Sequence, residues 1–318
     1  MSLPYTPFDD GYIRATQLSA LNDPYEAFYC KKGLKELVKH FDISSVYDSD
    51  EGEMGFPKYI EKHKNRIGVI SFTEAKDNLL MWAHYANEHK GVVAGFCTLD
   101  FDNGMFSNLF QIPTSFTSAL FEHKIFDGLP KPVMYRKQPR YRIDLFDFDY
   151  THIVADGADR ILYEIFLQKS EEWIYEKEHR IILRLEQADK VKIFDIDKLE
   201  NKCVKNSIIN SDWCTFRRES DESFHEITLM DIDDEVKRFV FAKALASLSS
   251  NKNNVYLFNL KPNAISHCFL GLNSTFSYQD AMKPYVNSMG YYKVWKATQN
   301  KENYTIEFKQ LDGNEGLS

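Results

Sequence analysis

Short apolar, β-branched runs recur along the chain, and helical stretches do not alternate with them. Tyr12 to Thr16, Ile67 to Phe72, Val92 to Cys97, Val133 to Tyr135, Trp173 to Leu185 and Val191 to Asp195 read as strands. So do His225 to Met230, Val255 to Leu260, Ile265 to Leu270, Tyr291 to Ala297 and Tyr304 to Phe308. Helical spacing is clearest over Asp156 to Lys169, where Ile161, Leu162, Ile165 and Phe166 share a face. Leu34 to Phe41, Pro57 to Lys64, Leu79 to Glu88, Asp233 to Leu248 and Tyr278 to Ser288 also read as helices. A doubly wound sheet needs strict strand–helix alternation. Its absence predicts an α+β fold of mixed, largely antiparallel sheets with helices packed on them. Ile67–Phe72, a helix capped by Asp77 or Asn78, and Val92–Cys97 predict one strand–helix–strand unit with the helix across a sheet face.

The 318 residues contain no internal repeat and no low-complexity linker, so one unit over 1–318 is expected. A change of texture after Cys203 gives an alternative boundary near residue 200. Aromatic content of 14% predicts a thick aromatic core and a stacking surface. A net charge of −8 argues against a nucleic-acid partner. The basic strip Tyr135 to Arg142 reads as a solvated loop. Five scattered cysteines with no CxxC pair predict neither a disulfide framework nor a zinc knuckle. No signal peptide is expected at the start, and no apolar run approaches the ~20 residues that span a bilayer. The expected setting is the cytoplasm, with no membrane partner and a protein partner unspecified.

Candidate chemistry concentrates in two segments. One is Ser71-Phe72-Thr73 followed by Met81-Trp82-Ala83-His84-Tyr85-Ala86 and His89-Lys90-Gly91. The other is Trp173-Ile174-Tyr175-Glu176-Lys177-Glu178-His179-Arg180. Read as a strand, the second puts Glu176, Glu178 and Arg180 on one side, about 7 Å apart. Two carboxylates and a guanidinium on one strip suit a ribose, a cation or a cationic transition state; an exposed charge ladder is the plainer reading. His84 and Glu88 stand at i, i+4, but the pattern is not HExxH. A stripe of Trp82, Tyr85 and His89 reads as core unless its polar atoms find partners. The acidic loop Asp48 to Glu53 lacks the ligand spacing of an EF-hand, and no GxSxG, Walker A or GxGxxG pattern occurs.

Asn22-Asp23-Pro24 with Glu26, Ser71-Phe72-Thr73, Met81-Trp82-x-His84-Tyr85-Ala86 with His89-x-Gly91, and Trp173-x-Tyr175-Glu176-x-Glu178-x-Arg180 together resemble the successive blocks of the bacterial domain of unknown function family 2971. Leu270-Gly271 resembles a further block, and the likeness extends from about residue 12 to the last strands. The family usually opens on a Tyr-Lys-Tyr-Arg-like strand, whereas Leu3-Pro4-Tyr5-Thr6-Pro7 stands here. The resemblance implies a bacterial or phage origin and no established activity. Arg14, then Ser71 with Thr73, then Glu176-Lys177-Glu178 are also similar to the order of motifs in ADP-ribosyltransferases. That second likeness implies NAD as substrate, with Glu178, Glu176 and His84 as catalytic candidates. Arg14, Ser71, Thr73, Trp82, Tyr85 and Arg180 are then the candidate NAD contacts. Two other readings stand beside it. One is a non-catalytic sensor or interaction module that binds a small-molecule ligand, with phage defence as its setting. The other is a metal-assisted phosphodiesterase built on Asp23, Glu176 and Glu178. Asn22-Asp23-Pro24 itself is expected to be a structural turn.

Overall fold

Ile181, Ile182 and Leu183 are all at most 1% exposed, so the strand that carries them is covered on both faces. This strand lies in an eight-stranded antiparallel sheet of the computed structural model, which describes residues 11–30, 60–96, 109–110, 126, 128–139, 153–219, 222–261, 264–282 and 292–312. The spatial order is β4 (Lys131–Pro132), β7 (Glu178–Arg184), β2 (Ile67–Thr73), β1 (Tyr12–Gln17), β11 (Val255–Asn259), β8 (Lys190–Ile193), β10 (Glu222–Thr228) and β9 (Cys214–Glu219). Ile181 and Leu183 join the larger core, with Val191, Ile227, Tyr256 and Phe258 from neighbouring strands. The helix α4 (Glu235–Ala246) closes that core with Phe241, Ala242 and Leu245. Ile182 faces the other way, onto Ile161, Leu162, Ile165 and Phe166 of α2 (Ile153–Phe166). The α+β expectation is met: large, mostly antiparallel sheets carry helices on their faces.

A second sheet runs β14 (Ile306–Gln310), β13 (Lys293–Gln299), β12 (Ile265–Leu270) and β3 (Val92–Phe96), with β12 and β13 parallel. One face packs Cys268, Leu270 and Val294 against Ala281 of α5 (Tyr278–Met282). The other packs Phe269, Ala297 and Ile306 against Trp82 of α1 (Leu79–Tyr85) and the adjoining Ala86. A short parallel pair, β5 (Met134–Arg136) and β6 (Gln168–Ser170), sets Tyr135 opposite Lys169. No helix among the described residues is long and apolar enough to cross a membrane.

Three expectations are corrected. First, β2 and β3 do not share a sheet: β2 pairs with β1 and β7, whereas β3 pairs with β12. The cause lies in the chain between them. Asn78 caps α1 through the Leu80 and Met81 amides, but the helix stops at Tyr85 and not at Glu88. Asn87, Glu88 and His89 then take φ of 47°, 54° and 66°. Three successive left-handed non-glycine residues cost roughly 1–2 kcal/mol each, and they turn the chain toward the second sheet. There the His89 and Gly91 carbonyls accept from Asn273 and Gly271. Second, Glu171–Glu176 forms a 3₁₀ helix capped by Ser170, so the strand begins only at Glu178 and not at Trp173. Third, β9 and the helix α3 (Lys202–Ile209) were not expected. β9 reads Cys-Thr-Phe-Arg-Arg-Glu and is largely exposed; as a polar edge strand it carries no alternation to detect. Strands on both sides of residue 200 pair in the one large sheet, β8 with β10 and β11. The helix expected over 34–41, the acidic loop 48–53, Cys97, and the ends of the segments 57–64, 135–142 and 278–288 lie outside the described residues wholly or in part.

Candidate functional site

Arg180 is 1% exposed and carries a positive charge, so its surroundings must supply both acceptors and counter-charge. They do. Nη1 and Nη2 donate to Glu26 Oε2 and Oε1 at 2.8 and 2.6 Å, a two-pronged pairing. Nε and Nη2 donate to Glu178 Oε1 and Oε2 at 2.7 and 3.1 Å. The remaining Nη1 proton goes to the Phe166 carbonyl at 2.8 Å, at the end of α2. Every guanidinium proton therefore has an acceptor.

Lys169 stands beside this pair. Its Nζ donates to Glu176 Oε2 at 2.6 Å and to Glu178 Oε2 at 3.2 Å, and lies 3.9 Å from Glu26 Oε1. Tyr85 Oη donates to the other Glu176 oxygen at 2.5 Å. The Glu178 amide donates to Tyr135 Oη at 2.8 Å, and Ser71, opposite Arg180 in the β2–β7 pairing, adds to the pull that keeps the Glu178 carboxylate charged. Three carboxylates and two cations thus share one buried cluster. Burial opposes the charge on Glu178, but Arg180 and Lys169 outweigh it and hold the carboxyl below its ordinary range. Burial likewise opposes the Lys169 charge, and Glu178 and Glu176 outweigh it, so the ammonium is held more firmly than usual. Burial and then Glu176 push the Tyr85 phenol up, so it remains a donor.

Local structure explains the convergence. Glu176 is the last residue of the 3₁₀ turn and Glu178 the first of β7. Lys177 between them is left-handed, with φ 45°. That single residue reverses the chain direction, and both carboxylates point inward although they do not share a strand. Thr73 fixes the turn: its Oγ1 donates to the Glu176 carbonyl at 2.7 Å and accepts from the Ala75 amide at 3.0 Å. Asn78 Nδ2 donates to the Tyr175 carbonyl at 2.7 Å, tying the cap of α1 to the same turn. The Asn22-Asp23-Pro24 turn delivers Glu26: Asp23 Oδ1 accepts from the Tyr25 amide at 2.9 Å, and the Asp23 carbonyl accepts from the Glu26 amide at 3.0 Å.

The residues singled out from the sequence thus separate into groups. Glu176, Glu178, Arg180, Tyr85 and Ser71 meet at the cluster, and Thr73 braces its backbone. His84 is exposed at its margin, with its ring centroid 6.5 Å from that of Tyr175. Trp173 covers Lys169, whose Nζ is 4.8 Å from the indole centroid. Trp82 points the opposite way, 2% exposed in the second-sheet core, and its indole N–H donates to the Lys76 carbonyl at 2.7 Å. Arg14 reaches Gln17 Oε1 at 3.2 Å and the Lys252 carbonyl at 3.4 Å, not the carboxylates. Asp23 is occupied by its own turn, and among the described residues no three His, Cys, Asp or Glu side chains are grouped to hold a metal. Three members of the cluster were not singled out as site residues: Glu26, named only beside the Asn22-Asp23-Pro24 turn, and Lys169 and Tyr135. Lys169 reads from the sequence as the last residue of a helix face, and Tyr135 as part of a basic loop. Only their pairing across β5 and β6 reveals them.

A family profile described as a protein of unknown function, DUF2971, matches residues 81–181. The match is narrower than the resemblance read across the whole chain. It takes in α1 from Met81 on, Lys169 and the Trp173–Arg180 segment, and leaves out Glu26 and Ser71. Neither a curated protein nor a solved structure matches the chain.

Proposed function

We propose that this protein is a non-catalytic ligand-sensing or interaction module, in which the buried charges are an internal fastening and the aromatic margin above them makes the contacts. The carrying observation is that Glu178, 5% exposed, already binds Arg180 through both oxygens and Lys169 through one. A carboxylate that stabilises a developing ribose cation must be free to face it. Releasing a buried pair costs about 3–5 kcal/mol, as much as the roughly 2.7–4 kcal/mol one preorganised electrostatic group contributes to a transition state. The balance favours the module. Its margin is Tyr85, His84, Trp173 and Tyr175, flat rings beside hydroxyls, a mix that suits a small-molecule ligand. The phage-defence setting and a bacterial origin belong to this reading through the family resemblance, and a cytoplasmic setting through the scattered cysteines.

One observation favours the NAD-consuming transferase as a second reading. Ser71 is exposed and stands opposite Arg180 in the β2–β7 pairing, so the buried cluster has a solvent-facing neighbour. Glu178→Gln separates the two. The module reading expects no free nicotinamide from wild-type protein and NAD, with or without macromolecular acceptors, and a clearly lowered melting temperature for the variant. Nicotinamide release that vanishes in Glu178→Gln while the melting temperature stays put would replace the module with the transferase.

A further inference from the structure

On the far side of α1 from the charged cluster, the second sheet presents an aromatic face that the reading above does not use. His267 and Phe269 alternate on β12, and Trp295 pairs with Phe269 from β13. Their planes are nearly parallel: 12° between His267 and Phe269, 19° between Phe269 and Trp295, and 28° between His267 and Trp295, with centroids 5.9–6.4 Å apart. The rings tile a surface. Phe269 is its buried middle, whereas His267 and Trp295 keep part of their area open. Gly95 on β3 makes this layout possible. A Cβ there would stand 2.9 Å from His267 Cβ and 3.2 Å from Phe269 Cε2, so any larger residue would lift the rings.

Two further observations point to a ligand. The Trp295 indole Nε1 is buried and has no acceptor among the described residues. Buried donors are almost always paired, and an unpaired one is costly. The charges here also run against the whole molecule, whose net charge is −8. Lys293 is paired with His267 across the strands, on the face that carries Trp295, and Lys76 Nζ lies 5.4 Å from the Phe269 ring and 5.6 Å from the Phe308 ring. Both lysines are exposed, and both act on the His267 imidazole.

We infer that this face binds a free nucleotide, with the base lying on His267 and Trp295, the Trp295 N–H meeting an acceptor on base or sugar, and the phosphates between Lys76 and Lys293. Aromatic stacking accepts any base, so the platform selects the class and not the letter. One platform with two cations on an acidic protein suits a single nucleotide better than a strand, which needs a continuous basic track.

The test is calorimetric titration of the full chain with ADP, GDP, CDP and UDP, each beside its nucleoside. At least one diphosphate is expected to bind with Kd below about 1 mM. Lys76→Met with Lys293→Met should weaken diphosphate binding about tenfold or more and leave the nucleoside unchanged. His267→Ala should weaken both by about tenfold. Trp295→Phe removes the indole N–H together with part of the stacking area and should weaken diphosphate and nucleoside alike, with circular-dichroism melting to verify the fold of each variant. Failure of all four diphosphates to bind, binding indifferent to the exposed lysines, or capture of a short oligonucleotide without any diphosphate would each overturn the inference. Nicotinamide release and the Glu178→Gln melt do not enter these measurements, so the two proposals fail separately.

Discussion

Lys169→Met removes the one ammonium that stands among Glu26, Glu176 and Glu178 while keeping most of the side-chain volume. The distances are 3.9, 2.6 and 3.2 Å. At an effective dielectric near 20, each such attraction is worth roughly 4–6 kcal/mol before desolvation is subtracted. Desolvating the lysine, 8% exposed, cancels much of that sum. What remains in the variant is Glu26 and Glu178 on Arg180, with Glu176 buried against the Tyr85 hydroxyl. Breaking a buried ionic group by removing one partner costs about 3–5 kcal/mol. At about 2–4 °C per kcal/mol for chains of 150–250 residues, and at the lower end for a longer one, melting should fall by roughly 6–10 °C.

The pH dependence gives the stricter test. In the wild type, Glu178 is held below its ordinary 4.5, so its stabilisation is present above that pH and is lost as pH falls through the folded value. Lys169 is held above 10.5, so its contribution is complete below that pH and is lost only as pH rises past the folded value. Neither group changes protonation between pH 7.5 and 5. In the variant the surplus buried negative charge favours uptake of a proton on folding. The folded state then binds more protons than the unfolded one, and stability rises as pH falls. Urea unfolding of both proteins at pH 7.5 and pH 5 should show the gap narrowing at the lower pH. A loss under about 1 kcal/mol, or a gap that does not shrink on acidification, would refute the view of the cluster as a desolvated network.

Two further outcomes are expected. Asp23→Ala removes the acceptor for the Tyr25 amide and should cost about 1 kcal/mol, typical of a lost cap, read as a small drop in melting temperature. Gly271→Ala should be far more damaging: a Cβ there would sit 2.1 Å from the His89 carbonyl oxygen and 3.0 Å from that of Gly91. Both neighbours are backbone, held by the Asn273 and Gly271 amides, so the variant should lose at least about 1–3 kcal/mol or fail to accumulate folded.

How much of this was legible in the sequence depends on which range of interaction decided it. Strands such as β2, β11 and β12 were visible because their apolar residues are adjacent in sequence and burial rewards that directly. The cap at Asn78 was visible for the same local reason. The sheet to which β3 belongs was not visible, because three left-handed residues between α1 and β3 choose it, and Asn87-Glu88-His89 carries no glycine to announce them. The split of Trp173–Leu185 into a 3₁₀ turn and a strand was hidden likewise. A left-handed lysine, Lys177, is an improbable choice, and the contacts from Thr73 and Asn78 that stabilise it come from about a hundred residues away.

The charged cluster shows why alternation alone cannot separate a site from a surface ladder. On β7, Glu178 and Arg180 share a face with Ile182, and period-two logic reads two charges beside one apolar residue as a solvent-facing side. Ile182 is nevertheless 1% exposed, because α2 covers that face with Ile161, Leu162 and Phe166. Once the face is covered, the charges cannot stay in water and must be answered from elsewhere. Glu26 is 154 positions from Arg180 along the chain, and Lys169 arrives on a different sheet. A one-residue slip between β2 and β7 would exchange Arg180 for Ile181 on that face and leave Glu26 without its two-pronged partner. The cluster therefore stabilises one register over its neighbours as well as one fold over the unfolded chain. A charge strip this costly to misplace is fixed jointly by the helix above it, the turn that brings Glu26 and the strand pairing beneath, and no window of sequence contains all three.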